Sequence, residues 1–483
     1  MENTVGFLSL LPPILAIGLA LLTRQVFLSL AAGLWIGFVI LAGWNPLSGT
    51  FNAMDAIVGV FADAGNTRII LFTLIVGALI ALIQRSGGVL GFVNWLMKKL
   101  DSMSQKAHGR GQRRLVELLA LATGLLLFIE SNISILTVGT LYRPVFDRLN
   151  IPREKLAYIA DSGSAPSSIL IPFNAWGAFI MGLVAAQSGL KGTPFEILVS
   201  ATLLNFYPML VIAILIFVIL SGRDLGEMKT AERRAKETGL LNRDGAQIMM
   251  GDGASDVEAK AGVTAKARNM LIPLLLMVGL MPVFLLITGS GNMAAGSGSK
   301  SVLYATSFAV IGAMILYKIG GQLGVRESFA SVLSGMSGMV PLAILMVLAF
   351  ALGSLCRDLG TGIYVAETAK GFISPALVPA MVFVISCFVA FSTGTSWGTF
   401  AIMIPIAVPL ALGMEVNPVL AIAAALGGGV FGDHCSPTSD TSIIASMATA
   451  NDHIDHIRTQ LPYALIGGAM TTGLYLILGF IGA

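Results

Sequence analysis

Gly427 to Ile444 reads GGGVFGDHCSPTSDTSII. Two aspartates, a histidine, a cysteine, a proline and a run of hydroxyls sit here between segments made of Leu, Ile, Val, Phe, Ala and Met. The surrounding chain has 483 residues, 55% hydrophobic and 11% charged, with a mean hydropathy of +0.85. A soluble domain carries about 25% charged residues, so this composition belongs to a polytopic membrane protein. Several apolar runs approach or exceed the roughly 20 residues that a helix needs to cross hydrocarbon. They are continuous, which excludes the alternating strands of a barrel. The expected fold is all-α, and the quoted stretch interrupts one of its helices.

The first run, Val5 to Leu22, has no basic region before it and no small-residue cleavage site after it, and reads as a retained helix. Cys356, Cys387 and Cys435 are too few and scattered for a disulfide framework. Basic residues collect in 98–114, 143–155 and 223–268. Positive charge near membrane ends marks the cytoplasmic side, so these three connections are expected inside. The uncharged 289–299 suits an external loop. This divides the chain into a first membrane repeat, 1–221, a flexible cytoplasmic linker with some helix, 222–268, and a second membrane repeat, 269–483.

Each half shows the same order. In the first, helices near 5–22, 26–43 and 67–84 precede 115–142, a re-entrant hairpin with ESNIS at its tip. Then 156–185 is interrupted by DSGSAPSS, and 195–221 follows. In the second, 269–288, 301–317 and 339–356 precede 376–414, broken at STGTSWG, then 419–447, broken at GDHCSPTSD, and 461–481. Each half reads as about five crossings plus one hairpin. An odd number makes the second half enter from the opposite side, an inverted-topology repeat.

Pro166 and Pro437 each remove a backbone donor and clash with the preceding turn. Unwound backbone inside a bilayer is tolerated only where protein buries it or a wet cavity runs beside it, and its carbonyls then become ion ligands. The breaks offer oxygen from Ser131, Asn132, Ser134, Ser162, Ser164, Thr393, Thr395, Ser396, Ser436, Thr438 and Ser439. Any one of these hydroxyls could instead bond back to its own helix. An aspartate at the membrane centre costs ~2.5–3.5 kcal/mol on the insertion scale, so Glu130, Asp161, Asp433 and Asp440 need a reason to be there. One reason is a helix cap or an ion pair; the other is a carboxylate that holds a cation when ionised and a proton when neutral. His434 is a pH-responsive candidate or a neutral packing partner. His453 and His456 read as part of a solvated cytoplasmic turn, and Cys435 lacks the neighbours of a zinc site. GGGVFG lacks the Lys-Ser/Thr of a phosphate loop and reads as a surface for close helix approach.

GDHCSPTSDTS, with STGTSWGTF and HIDHIRTQLPYAL, resembles the NhaC family of sodium/proton antiporters. Its GD-x-x-SP-x-SDT signature falls on Gly432, Asp433, Ser436, Pro437, Ser439, Asp440 and Thr441, and its TG-[ST]-SWGT element on Thr393 to Thr399. The match is specific within 390–465; elsewhere it is one of architecture. The resemblance implies the wider ion-transporter superfamily architecture: inverted repeats, opposed hairpins, broken helices and a homodimer. Residues 130–134 with 161–168, and 392–399 with 433–441, would enclose substrate and cation. The implied activity is exchange of cytoplasmic sodium for protons in a bacterial inner membrane, with no cofactor and no metal beyond the transported Na+. A sodium- or proton-coupled carrier of a small amino acid or organic acid is the alternative, with Glu130-Ser-Asn, Asn174 and Trp176 as solute contacts. An intramembrane aspartyl protease would normally show G-x-G-D, where this chain has Val430 in place of the first glycine; the expectation is a carrier, not an enzyme.

Overall fold

The computed structural model describes residues 5–23, 25–92, 94–95, 110–128, 130–172, 174–248, 259–260, 262–293, 295–361, 364, 367–368 and 373–482. The basic stretch 98–109 and linker residues 249–258 lie outside them. The described chain is helical, and ten of its helices are long and apolar enough to cross a membrane. The helices are α1 (Leu11–Thr23), α2 (Val26–Leu41), α3 (Pro46–Val60), α4 (Ala64–Arg85), α5 (Arg110–Leu126), α6 (Ser131–Arg148), α7 (Arg153–Ser162), α8 (Ala165–Leu170), α9 (Ala175–Ala185), α10 (Pro194–Leu203), α11 (Phe206–Ser221) and α12 (Gly226–Thr238). The second half continues with α13 (Arg268–Thr288), α14 (Gly298–Ile319), α15 (Val325–Gly338), α16 (Val340–Asp358), α17 (Val378–Thr393), α18 (Ser396–Gly413), α19 (Pro418–Cys435), α20 (Asp440–Thr449) and α21 (His453–Gly482).

The order runs twice. Two helices, a shorter one and a crossing (α1–α4, then α13–α16) lead to a helix pair (α5–α6, α17–α18) and then a broken helix (α7–α9, α19–α20). Each helix pair turns where the sequence places its polar tip. Glu130 caps α6, its Oε2 accepting from the Ile133 amide at 2.7 Å. Thr395 caps α18 in the same way, its Oγ1 accepting from the Gly398 amide at 3.4 Å. Gly394 before it has φ +68°, a left-handed conformation that side chains other than glycine rarely adopt.

The glycine run brings α19 against α17. A Cβ on Gly428 would meet the carbonyl oxygen of Phe383, and one on Gly432 the amide nitrogen of Phe391. Between helices in lipid there is little hydrophobic drive, so such close approach supplies the packing that holds them.

Two expectations need correction. The NDHIDHIR segment is not a solvated turn: α21 begins at His453, because Asp452 caps it. Asp452 Oδ1 accepts from the amides of Ile454 at 2.9 Å and Asp455 at 3.2 Å, and His456 is fully buried. The described linker is also docked rather than loose. α12 buries Met228, Ala231 and Ala235, while Glu232 pairs with Arg113 at 2.9 Å and Arg234 with Glu154 at 2.8 Å. Further on, Arg243 meets Asp455 at 3.0 Å, and the Gln247 amide donates to Asp452 Oδ2 at 2.7 Å. Burial pushes the Asp452 carboxyl upward, but the Gln247, Asp455 and Ile454 amides, with Arg243, outweigh it and hold it below its usual value. Stability from this anchor is therefore present above the ordinary aspartate range and is lost as pH falls through the lowered value.

Candidate functional site

The helix-pair tips and the start of α20 converge on a cavity of about 470 Å³. Glu130 and Asn132 enter it from the α6 end, Thr393 and Thr395 from the α17–α18 turn, and Thr438 and Asp440 from the break before α20. Each is carried there by a helix end. Breaking the helix removes the side-chain screen that an unbroken apolar helix would present. Trp176 and Trp397 also line the cavity, with ring centres 5.0 Å apart. Phe179 packs on Trp397 at 5.0 Å, so an aromatic cluster borders the polar groups. Asn132 and Asp440 both line the cavity, one from each half of the chain.

Asp433 is held by the same breaks. It is 2% exposed and sits in the last turn of α19, so it is not an N-terminal cap. Ser396 donates to Oδ2 at 2.8 Å and Ser439 to Oδ1 at 2.6 Å. One hydroxyl comes from the α18 tip and the other from the α19–α20 break. Sequence-adjacent Asp440 lies just beyond Ser439, on the cavity.

Asp161 occupies a third place, fully buried near the end of α7. Its Oδ2 receives Ser442 Oγ at 3.0 Å, Gln460 Nε2 at 2.8 Å and His456 Nε2 at 3.2 Å. Gln460 Nε2 also reaches the carbonyl oxygen of His434. The His434 ring is fixed on both sides, by Ser162 Oγ at 2.7 Å and the Tyr207 hydroxyl at 3.0 Å.

The candidate residues therefore separate. Glu130, Asn132, Thr395, Thr438 and Asp440 share the cavity, while Ser396 and Ser439 hold Asp433 beside it. Thr393 also lines the cavity, but its hydroxyl bonds back to the Val389 carbonyl at 2.8 Å. Ser164 bonds the Ala160 carbonyl and Ser134 at 2.5 and 2.9 Å. Ser436 ties the break to the Phe391 carbonyl at 2.6 Å, and Ser162 serves His434. Ser131 is buried at the start of α6. Sequence reasoning missed Ser442, His456, Gln460 and Tyr207. A signal existed: His456, Gln460 and Tyr463 recur at i, i+4 and i+7, a polar stripe on one face of α21.

Membrane-crossing helices interrupted to gather carboxylates and hydroxyls around a cavity define a secondary transporter. Residues 174–480 match the Na+/H+ antiporter family, and the chain belongs to that family. An uncharacterized protein of Haemophilus influenzae is 33% identical over 98% of this chain and 91% of its own length. The arginine/ornithine antiporter ArcD of Halobacterium salinarum is 32% identical over 25% of each chain. The fold is similar to that of the YdaH transporter of Alcanivorax borkumensis, with a TM-score of 0.60 and 14% identity over 94% of this chain and 98% of that one.

Proposed function

We propose that the protein exchanges sodium for protons across a bacterial inner membrane by alternating access, with Asp433 as the carboxylate that both ions use. The observation that carries this is Asp433 held between Ser396 and Ser439 beside the cavity. A hard cation takes oxygen ligands. A hydroxyl has one hydrogen and two lone pairs, so rotating the two O–H bonds away from Asp433 turns the same oxygens toward an ion. Asp440, Thr395 and Thr438 add further oxygens in the adjoining cavity. When the ion leaves, a proton restores neutrality to the buried carboxylate, whose unpaired charge is costly there. Purified protein in liposomes with an internal pH dye tests this: a sodium gradient should drive proton movement, and a choline gradient should not. Labelled arginine or ornithine flux without such exchange would support the solute carrier instead.

The repeated order of helices supports halves that enter from opposite sides. In a cysteine-free background, Lys229→Cys on α12 should react with an impermeant thiol reagent only after the cytoplasmic side is opened, and Met293→Cys should react from outside. The reverse pattern overturns the assigned orientation, and reaction of both from one side sinks the inverted repeat.

The tip residues carry a graded expectation. Asn132→Ala and Thr395→Ala should each raise the half-saturating sodium concentration about fivefold, the worth of one lost polar contact of ~1 kcal/mol. Thr395→Ser keeps both the cap and the oxygen and should restore wild-type sodium dependence. Thr393→Ala, whose hydroxyl is occupied by its own helix, should change it less than twofold, a limit set at roughly 0.4 kcal/mol. Equal effects from Thr393 and Thr395 would contradict this assignment.

A further inference from the structure

His453 plays no part in the exchange reading, yet it is bonded to the break that shapes the sodium site. Its Nε2 lies 2.8 Å from the Pro437 carbonyl oxygen. A carbonyl oxygen only accepts, so Nε2 carries a hydrogen and donates to it. On the other side of the ring, Nδ1 lies 3.0 Å from Ser446 Oγ on α20. Partners on both nitrogens fix the plane of the imidazole, which is half-buried at the start of α21.

The peptide between Pro437 and Thr438 is therefore held at both of its polar groups. Its carbonyl accepts from His453, and its N–H donates to Ser436 Oγ at 3.2 Å. Ser436 in turn donates to the Phe391 carbonyl at 2.6 Å, close to the α17–α18 turn. This peptide unit immediately precedes what the break gives to the site: Thr438 and Asp440 in the cavity, and Ser439 on Asp433. Where a helix is interrupted, its end groups lose the regular bonds that would set their direction. Side-chain bonds set it here.

The other end of this tether is itself anchored. Asp452, next to His453, caps α21 through the Ile454 and Asp455 amides and is bonded from the linker by the Gln247 amide. Arg153 of α7 donates to the Ala450 carbonyl at 3.1 Å. Ala450 turns the chain with φ +51°, a left-handed conformation that carries a steric cost for alanine. The Asn451 amide, donating to the Ser446 carbonyl at 2.9 Å, closes the same turn. His453 thus joins Pro437, 16 residues before it, to a fixed point, and α20 lies inside the loop so closed.

We propose that His453 is a positioning residue for the sodium site, holding the break through the Pro437 carbonyl so that Thr438, Ser439 and Asp440 are in place before the ion arrives. The proposal rests on the exchange reading and leaves the exchanged proton on Asp433. Without the tether, the break must be ordered when sodium binds, and that ordering is drawn from the binding free energy. The loss falls on affinity. Once filled, the site is the same, so the maximal rate is kept.

Purified full-length protein in dye-loaded liposomes, with sodium varied, separates half-saturating sodium from the maximal rate of proton movement. His453→Ala should raise half-saturating sodium about fivefold, the worth of one lost polar contact, with maximal rate and unfolding midpoint close to wild type. His453→Gln, whose side-chain amide offers an N–H in the place of Nε2, should return to the wild-type value. His453→Met fills the space without a donor and should behave as His453→Ala does; it decides where the alanine variant does not fold. Unchanged half-saturating sodium in the donorless variants overturns the proposal, as does a His453→Gln variant impaired as much as they are. A loss confined to the maximal rate overturns it too. In each of these cases wild type still exchanges, and the exchange reading stands. Wild type that moves no protons under a sodium gradient overturns that reading, and the positioning role with it.

Discussion

Asp433→Asn is expected to fold, reach the membrane and carry no sodium-driven proton flux. The substitution keeps the shape of the side chain and one acceptor oxygen, so one of Ser396 and Ser439 keeps an acceptor, and the other can accept from the new NH2. What disappears is the charge. Asn has no proton to exchange and no negative charge to balance a sodium ion away from water. Removing one partner from a buried charged pair costs about 3–5 kcal/mol, roughly two to three and a half decades in affinity. Proton movement in dye-loaded liposomes under a sodium gradient reads the loss directly, and thermal unfolding in detergent checks the fold. A variant that folds and still exchanges with wild-type pH dependence removes Asp433 from the exchange site.

Gly432→Ala is expected to lower the unfolding midpoint and the yield of monodisperse protein, although alanine is the better helix former by about 1 kcal/mol. The new Cβ would lie against the Phe391 amide nitrogen and Ala390. Backbone cannot rotate away as a side chain can, so α17 and α19 must separate. Overpacking of this kind costs about 1–3 kcal/mol. The neighbouring residue is Asp433, so sodium affinity should fall as well. Gly473→Ala on α21 is the control, because a Cβ there meets nothing within 4 Å. Equal midpoints for the two variants would show that the glycine seam is not what holds these helices together.

The chain announces its breaks. Pro166, Pro437, Gly394 and the hydroxyl runs interrupt apolar periodicity, and a membrane offers such interruptions few roles. That is why the polar tips at Glu130–Asn132 and Thr393–Ser396, and the break at Ser436–Ser439, could be placed before any fold was known. Glu130 shows the limit of such reading. Its carboxylate lines the cavity, yet one oxygen is committed to the Ile133 amide, so cap and site are the same residue.

Composition and hydropathy determine that this protein is a helical membrane protein, and the position of its prolines and glycines determines where its helices open. Both are local properties: one turn of backbone either keeps its hydrogen bonds or loses them. Which polar groups then meet was decided by the tertiary structure alone. Asp161 and His456 are 295 residues apart in the chain, and Ser396 and Asp433 come together only because a glycine seam lets α17 and α19 touch. The same packing turned the NDHIDHIR stretch from an apparent surface turn into a buried helix start, since Asp452 could cap it and the docked linker could cover it. Contacts of that separation depend on which apolar faces fit each other, and no periodicity within a single segment records that fit.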